Sequence, residues 1–83
     1  MYEIQLKPQA VKDLRSLPKL DAARIAEKLK RLEHGLTNNV KRLTDFTPEY
    51  RLRVGDYRAL FEIENNKIVV YRIRHRRFAY DKR

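Results

Sequence analysis

The chain has no cysteine, which excludes a disulfide framework and every thiolate metal site. Histidine is nearly as scarce. His34 and His75 lie far apart with no carboxylate cluster near either, so neither a metal site nor a small-molecule cofactor is expected. Long apolar runs are missing too: a stretch such as Ile68-Val69-Val70-Tyr71 falls far short of the ~20 residues that span a bilayer. The opening Met1-Tyr2-Glu3-Ile4 lacks the basic-then-apolar plan of a signal peptide. The expectation is a cytoplasmic protein without a membrane partner. Repeats, linkers and low-complexity stretches are absent, and 83 residues suit one domain, 1–83. The core of so short a chain is thin, so binding is expected on the surface rather than in a deep cavity.

Acidic residues are the remaining shortage. Twenty Lys+Arg stand against eleven Asp+Glu, a net charge of +9. Residues 1–49 hold ten basic and seven acidic side chains, residues 50–83 ten and four. The second part prefers arginine, eight to two lysines. Arginine offers a planar fork that fits phosphate, whereas lysine is a hydrated point charge. Such a surface fits a polyanionic partner, either nucleic acid or an acidic protein.

The apolar residues that are present follow clear periods. Tyr2, Ile4 and Leu6 alternate with polar neighbours as in a strand. Pro8 opens a short helix, where its missing N–H costs nothing, and Ala10, Val11, Leu14 and Leu17 share one face of it. Pro18 breaks that helix and begins a longer one from Lys19 to about His34, with Ile25, Leu29, Leu32 and Leu36 as its apolar stripe. Gly35 reads as its left-handed stop. Residues 37–49 have no period and read as a loop, with Val40, Leu43 and Phe46 tucked onto the core edge. Tyr50–Val54, Tyr57–Glu64 and Lys67–His75 then form a meander closed by the two-residue turns Gly55-Asp56 and Asn65-Asn66. The tail is 76–83. The fold class is α+β: an N-terminal strand, then an αα-hairpin on one face of a mainly antiparallel sheet with a C-terminal three-stranded meander.

Tight turns fix register. Around Gly55-Asp56, Val54 faces Tyr57, Arg53 faces Arg58, Leu52 faces Ala59 and Arg51 faces Leu60. The helices then cover Leu52, Val54, Ala59, Phe61 and Ile63, leaving Arg51, Arg53 and Arg58 on the open face. Around Asn65-Asn66, Phe61 is expected to face Val70, Leu60 to face Tyr71, and Arg58 to face Ile73. His75 then falls on the arginine face. A like-charge pair directly across two strands disfavours the sheet by a few tenths up to about 1 kcal/mol. It makes sense if an anion sits between the arginines, unless the long side chains simply splay into water. Tyr80 is placed to return along the same face on a short C-terminal segment. There its hydroxyl exchanges a proton with a ribose or leaving oxygen, or its ring stacks on a base; the plainer role is a terminal anchor, as for Phe78. His75 is the one imidazole expected on this face, hence the candidate general base, or else a structural hydrogen-bonding group. His34, beside Gly35, serves only as a favourable charge at a helix C-terminus.

The stretch Tyr50-Arg-Leu-Arg-Val-Gly-Asp-Tyr-Arg58-Ala-Leu-Phe-Glu-Ile, with the two-Asn turn, Ile68-Val-Val-Tyr-Arg-Ile-Arg-His-Arg-Arg77 and Tyr80, resembles the RelE/ParE superfamily of toxins. The N-terminal strand and the helix pair broken near Leu17-Pro18 match the same plan, so the resemblance covers essentially the whole chain. It implies a type II toxin–antitoxin toxin with a microbial-RNase-like, RelE-like fold. RelE-type members are messenger-RNA interferases that cut in the ribosomal A site. They use no metal and generate a 2′,3′-cyclic phosphate through attack of the ribose 2′-hydroxyl. Carried onto this chain, Arg51 and Arg53 match basic positions that are usually lysine in the best-studied branch. Arg58 matches the arginine that stabilises the charged phosphorane, and Tyr80 the C-terminal tyrosine. Arg76 or Arg77 matches a second arginine, and His75 resembles acid/base histidines of neighbouring branches. The implied catalytic set is Arg58, Tyr80, Arg76 and His75, with Arg51, Arg53, Arg74 and Arg77 on the RNA. The implied partners are messenger RNA, the ribosome and a cognate antitoxin protein. ParE-type relatives, which poison DNA gyrase by binding and carry no nuclease site, are the alternative; a plain RNA-binding protein is the third.

Overall fold

The computed structural model describes residues 1–80; the last three residues of the tail, 81–83, lie outside the described residues. The elements run β1 (Glu3–Leu6), α1 (Pro8–Arg15), α2 (Lys19–Arg31), a single 3-10 turn (Leu32–His34), β2 (Val40–Arg42), β3 (Tyr50–Val54), β4 (Tyr57–Glu64) and β5 (Lys67–His75). The strands form one sheet in the order β1-β5-β4-β3-β2. β1 lies parallel to β5, with Glu3 opposite Lys67 and Leu6 opposite Val70; the helix pair carries the chain from β1 to β2 at the opposite edge of the sheet. All other neighbours are antiparallel. The α+β architecture expected from the sequence is present.

Pro8 occupies the first turn of α1, and Pro18, in extended backbone, separates the two helices. Ala10, Ile25, Leu29 and Leu32 pack on Leu52, Val54, Ala59, Phe61, Ile68, Val70 and Ile73 as one core. Fully burying a side chain such as Phe61 or Ile68 contributes roughly 1.5–3 kcal/mol each. Truncating Phe61 at the sheet centre to alanine would cost about 3–5 kcal/mol. Among the described residues no helix is long and apolar enough to cross a membrane.

Four details differ from the sequence-based expectations. Residues 37–49 are not all loop, because Val40–Arg42 adds an edge strand, with Lys41 opposite Arg51. Leu36 is exposed rather than part of the α2 stripe, since the helix has already ended. Gly35 takes φ 135° and ψ 166°, a region reserved for glycine but not the left-handed helical one; it sends the chain outward towards β2. Most consequential is β5. The β3–β4 register is as expected from its turn, Arg53 opposite Arg58 included. Phe61 also faces Val70, but a bulge between Leu60 and Phe61 then shifts the partners by one. Leu60 faces Arg72 rather than Tyr71, and Arg58 faces Arg74 rather than Ile73. The physical reason is side-chain alternation: without the extra residue Tyr71, Arg72 and Arg74 would enter the core and Ile73 would leave it.

Candidate nucleic-acid interface

The bulge builds a row that the turns alone do not predict. Arg53 of β3, Arg58 of β4 and Arg74 of β5 stand directly opposite one another across three strands. They occupy the face away from the helices, because Val54, Ala59 and Ile73, their chain neighbours, all lie in the core. Facing side chains in a sheet start with Cβ atoms about 4.5–5.5 Å apart. Ion pairs form elsewhere: Arg31–Glu27, Arg42–Glu49, Arg72–Asp13 and Arg76–Asp56. Among the described residues, none of the three row arginines has a carboxylate partner, so the repulsion is not relieved within the chain. Arg58 is held towards the hairpin end, where its Nη1 donates to the Gly55 and Tyr57 carbonyls, each at 3.0 Å.

A second row runs Lys41, Arg51, Leu60, Arg72. Arg51 Nη1 donates to the Asn39 carbonyl at 2.9 Å. Leu60 is only 3% exposed although it points away from the helices, and Ala79 is 1% exposed. Both follow from a C-terminal segment that folds back over this face. Tyr80 lies there, its ring edge-on to Phe46 at 5.5 Å. With Lys41, Leu43, Thr44, Phe46 and Arg51 it lines a hollow of about 290 Å³. Farther along β4 the face turns acidic: Glu62 accepts the Glu49 N–H at 3.0 Å, and the Tyr71 hydroxyl donates to Glu64 at 3.4 Å. Burial, then the Glu64 carboxylate, push that hydroxyl above the ordinary tyrosine range.

The candidate residues from the sequence therefore separate. Arg51, Arg53, Arg58 and Arg74 share the open face, with Tyr80 folded onto it. Arg76 and Arg77 follow β5 in an exposed turn; the Arg76 N–H donates to the Asp56 carbonyl at 2.7 Å, and its guanidinium lies 3.9 Å from the Asp56 carboxylate. His75 is not on the arginine face. The bulge sets it opposite Tyr57, ring edge-on at 5.7 Å, in a separate cleft lined by Asp21, Arg24 and Ile25 of α2 and the Gly55-Asp56 turn. Its Nδ1 accepts the Arg77 N–H at 3.2 Å. Among the described residues no group of three or more His, Cys, Asp or Glu side chains is placed to hold a metal ion.

Two participants escaped the sequence. Lys41 adds a cation beside Arg51, which needs β2 to be seen. Asp13, a polar residue of α1, reaches β5: its carboxylate accepts Arg72 Nε at 2.8 Å and the Ile73 N–H at 2.9 Å. Burial by itself would raise that carboxyl, but the bonds from Arg72, Ile73 and Gln9 outweigh it and hold it below the usual aspartate range. Nothing in the local sequence of α1 marks a contact made so far along the chain.

The pattern of the family described as ParE toxin of type II toxin-antitoxin system, parDE, matches residues 4–80. Toxin RelE3 of Methanocaldococcus jannaschii is 30% identical over 76 residues, covering 86% of each chain. The RelB-RelE antitoxin-toxin complex from Methanococcus jannaschii superposes with a TM-score of 0.78 at 26% identity, covering 95% of this chain and 98% of that one. The archaeal RelE-RelB complex from Pyrococcus horikoshii OT3 gives 0.73 at 29% identity, covering 90% and 94%.

Proposed function

The chain belongs to the ParE toxin family of type II toxin–antitoxin systems, and on that premise we propose that it is a metal-independent endoribonuclease that cuts messenger RNA on the ribosome. The observation that carries this reading is the uncompensated row Arg53–Arg58–Arg74 on the open face, with Tyr80 folded back beside Arg51. Its likeness to Toxin RelE3 favours the nuclease over the gyrase-binding alternative.

The chemistry needs three things: an attacking 2′-oxygen, a stabilised phosphorane and a protonated leaving group. The 2′-oxygen forms a bond to the adjacent phosphorus and gives up its proton. The bond to the 5′-oxygen breaks, and that oxygen receives a proton. Products are a 2′,3′-cyclic phosphate and a 5′-hydroxyl. Arg58, near the start of β4 and fixed by two carbonyls, is preorganised where the phosphorane charge develops, a role worth roughly 2.7–4 kcal/mol by analogy with oxyanion donors. Arg53 holds a neighbouring phosphate, and Arg74, on the other side, joins Arg58 on the scissile one; Arg51 and Lys41 extend the track beneath Tyr80. Tyr80 orients the nucleotide or passes a proton, a contribution of about 10²–10⁴-fold. Arg76 and Arg77 supply further charge where the strand leaves the row. His75, turned to the helix side, has no part in this scheme. The partner that silences the toxin is a cognate antitoxin, and its acidic segment covers the arginine row.

The test adds purified protein to translating ribosomes and maps messenger 3′ ends. New ends in the A site are expected, unaffected by EDTA, with Arg58→Ala and Tyr80→Phe slowing single-turnover cleavage while ribosome binding stays near wild type. Intact message together with gyrase-linked DNA breaks would replace this reading with the alternative one.

A further inference from the structure

Val70 and Asn66 of the β5 edge turn their carbonyls to β1, accepting the N–H of Lys7 and Glu3 at 2.8 Å each. In a strand the N–H and C=O of one residue point the same way, and successive residues alternate. Even-numbered residues of β5 therefore face β1. Yet it is Ile73, an odd-numbered residue, whose N–H points out of that same edge, towards Asp13. The one-residue bulge at Tyr71 accounts for the change of parity. β1 has already ended at Leu6, so past the bulge that edge of β5 has no strand beside it, while β4 still pairs along the other.

Asp13 fills that place. Its side chain is 10% exposed. One oxygen accepts both Arg72 Nε and the Ile73 N–H, and the other accepts Arg72 Nη2 at 3.3 Å and Gln9 Nε2 at 3.1 Å. A bidentate arginine–carboxylate pair fixes orientation as well as distance. The edge amide it binds is available there only in the shifted register, the register that turns Arg74 towards Arg58.

We propose that Asp13 is a positioning residue: by clamping Arg72 and the Ile73 amide it locks β5 beyond its bulge and aims Arg74 at the phosphate held by Arg58. Asp13 touches no RNA. Its contribution to cleavage passes through the strand, and this part rests on the nuclease reading above. The depressed Asp13 carboxyl keeps the clamp ionised throughout the neutral range.

Two measurements on Asp13→Asn separate the clamp from its use. Amide exchange at Ile73 should accelerate roughly tenfold or more, the equivalent of a lost hydrogen bond to a charged group, while Val70 keeps its wild-type protection. Single-turnover cleavage should fall about tenfold to a hundredfold, the effect of a small misplacement, with RNA affinity unchanged. Leu29→Ala, which loosens the core beside Ile4 and Leu6 of β1, serves as the control and should leave cleavage at wild-type rate for a similar loss of thermal stability. Unchanged exchange at Ile73 would overturn the clamp. Faster exchange with wild-type cleavage, or equal loss of cleavage in Leu29→Ala, would overturn the positioning role. Absence of cleavage in the wild-type chain would instead reject the nuclease reading and leave the exchange result standing.

Discussion

Replacing Arg53 by glutamate should make this protein more stable and worse at binding RNA. Arg53 is exposed and directly opposite Arg58, and no carboxylate among the described residues pairs with it. The substitution turns a repulsive cross-strand pair into an attractive one. Each sign is worth a few tenths to about 1 kcal/mol in a sheet. Solvent screening at an exposed position puts the sum at roughly 0.5–1.5 kcal/mol. For a domain of this size each kcal/mol moves the melting midpoint by about 4–8 °C, so Arg53→Glu should melt some 2–12 °C higher at low salt. The gain should fade towards 1 M salt, where the Debye length falls to about 3 Å. Binding should move the other way. A lost phosphate contact flattens the log–log salt dependence on single-stranded RNA by about 0.7, and the new carboxylate repels the neighbouring phosphate as well. Thermal melts at 0.05 and 1 M salt, with RNA titrations across the same range, check both halves. An unchanged or lower midpoint with undiminished RNA affinity would refute the reasoning: the arginines would then be splayed, solvated side chains with no anion to hold.

Arg51→Ala should weaken ribosome or RNA binding and flatten the salt slope by the same single contact, measured by titration at several ionic strengths. The acid limb of stability should carry the signature of Asp13. Its carboxyl lies lower in the folded chain than in the unfolded one, so its stabilisation is complete above the unfolded value near 3.9 and is lost as pH falls through the lower folded value. Asp13→Asn should therefore melt below wild type at pH 7, by about 1.5–3 kcal/mol for hydrogen bonds to a charged group. The two curves should converge below pH 4; a gap that stays constant down to pH 2 would show that Asp13 is not the titrating group.

Local pattern by itself determined β1, the two helices as far as Arg31, the three strands of the meander and the whole β3–β4 ladder. Alternation sorts Leu52, Val54, Ala59 and Phe61 from the arginines, and Gly55, at φ 58°, closes a turn that leaves one register open to Arg53 and Arg58. These are short-range constraints, written within a few residues of where they act. Tertiary structure decided the rest. The bulge at Tyr71 is a compromise: a strand paired from the Asn65-Asn66 turn must slip by one residue to keep Ile73 buried and Arg74 out. That slip carried Arg74 into the row and His75 across to the helix side. The β2 strand, Val40–Arg42, forms only because β3 offers it an edge, since three residues have no period to read. Leu60 became buried because the tail returned over it, and Asp13 became part of β5 because β1 ended too soon to cover Ile73. Each depends on two segments meeting that are distant in the chain, and the pattern of either segment alone holds no record of the meeting.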